Sequence, residues 1–142
     1  MRPFHLVAAT ALLLTACDTQ REVSPVVAGT PTIHEAEGTR TAFGTFTGAS
    51  GHVTTGEVFL MRGPEGYVVS LGSDFSLDGA PDPHVGLGDA DTFQAILAPL
   101  AQTVGAQVYT IPADVDVGDY DHVYIWCEEF SVPLGVAELE LL

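Results

Sequence analysis

Punctuation constrains this fold more than any other feature. From about residue 42 onward, runs of β-branched and aromatic residues alternate with Gly, Pro and Asp. Runs this short form strands and leave little room for long helices. The strands are expected at Ala42 to Thr47, His52 to Met61, Tyr67 to Leu71, His84 to Leu87, Ala106 to Ile111, His122 to Phe130 and Ala137 to Leu141. Gly63-Pro64-Glu65-Gly66 reads as a tight turn between the second and third, and Gly79-Ala80-Pro81-Asp82-Pro83 as a further break. One segment competes. Thr92 to Val104 carries Phe93, Ile96, Leu97, Leu100 and Val104 at helical spacing behind a capping Asp91, but Pro99 interrupts it. A short helical turn or an ordered loop is expected near residues 92–104. The fold class is therefore all-β: one β-sandwich or small barrel of about seven to eight short strands.

Alternation assigns faces. In His122-Val123-Tyr124-Ile125-Trp126-Cys127, Val123, Ile125 and Cys127 share one face, and His122, Tyr124 and Trp126 the other. With both faces largely apolar, this reads as a central strand covered on both sides. The last strand alternates cleanly, with Ala137, Leu139 and Leu141 opposite Glu138 and Glu140, as suits a sheet with one wet face.

The first residues read as an export signal. Arg2 supplies positive charge, Leu6 to Leu14 is nearly all apolar but too short to span a bilayer, and Leu14-Thr15-Ala16-Cys17 resembles a bacterial lipobox. That resemblance implies a diacylglyceryl group on Cys17 and cleavage before it. The domain plan is then a signal peptide at 1–16, a flexible tether at 17–33 and a β domain at 34–142. The chain would lie in the bacterial cell envelope, anchored through Cys17 and facing away from the cytoplasm. It carries 4 Lys+Arg against 19 Asp+Glu, a formal net charge of −15. Nucleic acid would be repelled and is not an expected partner.

With Cys17 assigned to lipid, Cys127 is the one thiol left. Two readings of it stand side by side. Free cysteine packs in cores as a small apolar group, and burial makes it inert. A working thiolate needs a nearby cation or donor. Glu128 and Glu129 follow directly and oppose it, and only Arg40, Arg62, His52, His84 and His122 are available as helpers. Other chemistry finds little support. No Cys-x-x-Cys-His motif attaches a haem covalently, and no close-spaced ligand pair supports zinc or copper. The aspartates at 74, 78 and 82 and at 114, 116 and 119 do not follow EF-hand spacing. No Ser-His-Asp order or phosphate-binding glycine loop is present.

The C-terminal third is more specific. Gly105-Ala106-Gln107-Val108-Tyr109-Thr110-Ile111-Pro112, then Asp114-Val115-Asp116, then Tyr120 through Cys127, then Phe130-Ser131-Val132 and Gly135-Val136-Ala137 resemble the electron-transfer DM-thirteen family of Skeletor-type animal proteins and bacterial envelope proteins. Gly44-Thr45-Phe46, Gly51 to Gly56, Ser73-Asp74-Phe75 and Pro81 to Val85 stand in the order that family uses, so the resemblance covers about residues 42 to 141. It implies an extracytoplasmic redox role centred on Cys127, acting as a bare thiol or as ligand to a prosthetic group such as non-covalent haem. His52 and Tyr109 are then candidate partners on that group. It also implies a separate redox partner in the envelope. The alternative is a non-catalytic binding or structural module with Cys127 as a core residue. Whether the chain is an enzyme stays open.

Overall fold

The computed structural model describes residues 31–32 and 36–142. The export signal, Cys17 and all of the assigned tether except Pro31 and Thr32 lie outside the described residues.

Among the described residues, twelve strands follow in chain order: β1 Thr39–Thr45, β2 Thr47–Gly48, β3 Thr54–Thr55, β4 Glu57–Gly63, β5 Gly66–Leu71, β6 Ser76–Leu77, β7 Pro83–Gly88, β8 Phe93–Pro99, β9 Gln107–Thr110, β10 His122–Cys127, β11 Val132–Glu138 and β12 Glu140–Leu141. One sheet has the order β12-β1-β4-β5-β9 and a second the order β2-β11-β10-β7-β8. β3 and β6 form a small third sheet. Every pairing is antiparallel. The fold is an all-β sandwich, not a closed barrel.

One buried cluster joins the two large sheets. Val58, Leu60, Val69, Leu71 and Tyr109 come from the first, and Val85, Leu87, Val123, Ile125, Cys127 and Ala137 from the second. Period-two alternation supplies these inward sets. The chain also stitches the sheets at two corners. It leaves β1 and enters β2 of the other sheet through buried Phe46, and it leaves β11 for β12 at Leu139, whose N–H donates to Asp121 O. That second corner breaks the expected single C-terminal strand. Ala137 is buried, but Leu141 is 87% exposed.

The expected turn at Gly63–Gly66 joins β4 to β5, with Gly63 paired to Gly66. The 92–104 segment departs from expectation. Phe93–Pro99 is not a helical turn but edge strand β8, paired with β7; residues 100–105 form the irregular loop that follows. Two irregularities in that pairing explain the misleading spacing. Partners run His84↔Pro99, Val85↔Ala98, Gly86↔Ile96, Leu87↔Ala95 and Gly88↔Phe93, so Leu97 and Gln94 are extra residues on β8. Each bulge shifts the alternation by one residue, and a twice-shifted strand mimics a helical period. Pro99 is tolerated because it ends an edge strand. A 3-10 turn occurs instead at Val117–Asp119, capped by the Asp116 carboxylate accepting from Gly118 N.

Candidate functional site

β10 is the middle strand of its sheet, with β11 on one side and β7 on the other. Its inward residues are sealed: Val123 and Ile125 are fully buried and Cys127 is 1% exposed. Cys127 ends the strand, paired with Pro83 on β7 and Val132 on β11. Its Sγ donates to Pro81 O at 3.1 Å. The next residue is tied to the same segment, since Glu128 N donates to Asp82 O at 3.1 Å. Pro81 itself is exposed. The thiol therefore lies one residue beneath the surface, under the loop at residues 78–82. That loop departs from ordinary backbone conformation, with φ of +103° at Gly79 and +46° at Asp82. Positive φ at a non-glycine residue stores conformational strain.

None of the anticipated helpers hydrogen-bonds the sulfur. The Arg40 guanidinium lies 3.8 Å from the centroid of the Phe59 ring and that of Arg62 5.6 Å from Tyr67, both on the first sheet. His52 Nδ1 bonds Asp78 Oδ1 at 2.9 Å, while Asp78 Oδ2 accepts from Val53 N at 3.0 Å. These bonds, the backbone one first, hold the Asp78 carboxyl below its ordinary pKa. His52 and Cys127 thus touch one loop, at Asp78 and Pro81, without touching each other through a hydrogen bond. His84 and His122 lie on the outward face of the second sheet. His84 Nδ1 approaches Asp82 O at 3.1 Å, and His122 Nδ1 approaches Asp121 Oδ1 at 2.6 Å.

Tyr109 is equally committed elsewhere. Its hydroxyl donates to Gln107 Oε1 at 2.7 Å and accepts from Ala101 N at 3.1 Å. Gln107 in turn accepts from Gln102 N and donates to Gln102 O and Gly105 O. Burial raises the Tyr109 phenol to about 12. This network secures the loop after β8.

A haem on Cys127 does not fit these residues. The cavities of 630, 440 and 380 Å³ among the described residues are lined by other segments, and none includes Cys127. The sulfur sits in close-packed core, and the Tyr109 hydroxyl is taken up by Gln107 Oε1 and Ala101 N.

The outward face of β10 holds a feature that sequence reading missed. Trp126 stacks on Phe93 of β8 at 4.5 Å and 6°, and Phe93 meets Tyr124 edge-on at 5.8 Å. Tyr124 Oη donates to Asp89 O at 2.6 Å. Burial, and then Asp89, Asp91 and Asp121, push the Tyr124 phenol above its ordinary pKa. The rings need Gly86 and Gly88 beneath them: a Cβ on Gly86 would meet the Phe93 ring and Ala95 O, and one on Gly88 the Tyr124 ring. Two glycines on β7, each pairing with β10, were the available signal. The outer cover of β10 is thus its own sheet's aromatic side chains.

A family model described as "Electron transfer DM13" matches residues 45–139. No curated protein and no solved structure matches the chain.

Proposed function

Because the chain belongs to the electron-transfer DM13 family, we propose that it is a redox domain of the bacterial envelope, held there by lipid on Cys17, with Cys127 as its redox group. The family membership suggests electron transfer; the observation supporting the thiol is its depth. Cys127 Sγ bonds the carbonyl of an exposed residue, Pro81, in a loop with two positive-φ positions. Local opening of that loop exposes the sulfur without unfolding the sheets. Cys127 is the free thiol among the described residues, so two-electron exchange runs through the partner. Its sulfur bonds one sulfur of a partner disulfide as that disulfide breaks, and the displaced partner sulfur takes the proton.

The second reading, a binding module with Cys127 as core filler, is favoured by its 1% exposure and its place in the core cluster. Thiol labelling with a chromogenic aromatic disulfide separates the two. For a redox group, native Cys127 reacts through local opening, and Pro81→Gly speeds labelling by about tenfold while the global unfolding midpoint changes little. Labelling that follows global unfolding, with the same denaturant dependence, makes Cys127 a core residue and ends the redox assignment.

A further inference from the structure

The loop over Cys127 is also the hub of one end of the sandwich. Leu77 N donates to Thr103 O, Asp78 N to Val53 O, Glu128 N to Asp82 O, and Leu100 N to Pro83 O. The 49–53 turn, the 100–103 loop and the β10–β11 hairpin therefore meet around one segment. Two large apolar side chains stand out from this end: Val53 is 63% exposed and Phe130, in the hairpin, 64%. An aromatic ring presented at the tip of a hairpin that is tied to the loop carrying exposed Pro81 is the composition of an interface centre. The surrounding charge has one sign. Asp78 and Asp82 belong to the loop, and Glu128 and Glu129 to the hairpin tied to it. Among the described residues the arginines are Arg40 and Arg62, both set over rings of the other sheet. His52 and His84 reach this end, but each is bonded to the loop, at Asp78 and Asp82.

We propose that this end, apolar at Phe130, Val53 and Pro81 and rimmed by carboxylates, docks a small basic redox protein over Cys127. The inference rests on the redox reading above and names the partner's chemistry. An acidic rim steers a basic partner and fixes its orientation, while the apolar centre is desolvated on contact. Complexes of this kind are small and short-lived, which suits electron exchange.

The experiment titrates the full domain with cytochrome c, used as a probe for a small basic protein surface and for docking alone, by calorimetry and NMR shift mapping. Binding is expected to localise to residues 52–53, 78–83 and 128–130, and to weaken about tenfold between low and physiological salt. Phe130→Ser and the pair Glu128→Gln, Glu129→Gln each weaken it about tenfold. The pair Glu65→Gln, Asp114→Asn, at the β4–β5 turn and the loop after β9, removes equal charge with little effect. Absence of binding, shifts spread over the whole acidic surface, or equal weakening by the control pair would overturn the proposal. Docking lost while Cys127 labels through local opening overturns this inference alone; docking retained while labelling requires global unfolding overturns the redox assignment alone.

Discussion

Gly86 and Cys127 show how much one side chain decides. A methyl on Gly86 would meet both the Phe93 ring and the backbone oxygen of Ala95. The ring can move; the carbonyl belongs to the β7–β8 pairing and cannot. Gly86→Ala is expected to destabilise the domain by about 2 kcal/mol in denaturant unfolding, as overpacking does. In a double-mutant cycle with Phe93→Ala, only part of that loss is expected to appear as coupling to the ring, because the carbonyl clash remains. Residue types were legible here but their contacts were not. Cys127 was assignable to the inward face from alternation alone. Its acceptor, Pro81, lies 46 residues away, and no local pattern encodes that pairing.

Among the elements, β8 was the least legible. Two extra residues on an edge strand shifted its alternation, so Phe93, Ile96 and Leu97 fell at helical spacing although the chain is extended. The strands free of such shifts, β5 and β9, were readable nearly to their ends. β9 also carries a testable titration. Tyr109 is raised to about 12 by burial, against about 10 for an unfolded tyrosine. Between those values the unfolded chain binds fewer protons than the native one, so stability falls as pH rises. It is fully present below about pH 10 and is lost as pH climbs toward 12. Denaturant midpoints measured from pH 9 to 12 are expected to decline. Tyr109→Phe should flatten part of that decline, leaving the contribution of Tyr124, which is also raised. At neutral pH the same variant is expected to lose about 1 kcal/mol, the size of a typical hydrogen bond.

At the scale of the whole molecule, the net charge of −15 argues against nucleic acid and anionic lipid surfaces. Attachment to a membrane then needs something other than surface charge, and the proposal assigns it to acylated Cys17. Cys17→Ser, expressed in a bacterial host, is expected to move the protein from the membrane fraction to the soluble fraction. Fractionation with the membrane despite the substitution would contradict acyl anchoring. The domain's Thr32, near the end of the assigned tether, exchanges two backbone hydrogen bonds with Val108.

The sequence by itself determined the fold class, the Gly63–Gly66 turn, the inward set of β10 and the family resemblance. Each rests on local period or composition, which physics reads over a few neighbouring residues. Only tertiary structure decided what surrounds the thiol. It carried Arg40 and Arg62 to the other sheet, bound His52 to Asp78, fixed Tyr109 in a glutamine network and laid the Pro81 carbonyl over the sulfur. These are meetings between residues distant in the chain. Strand order and sheet crossover set them, and alternation along one strand carries no information about either.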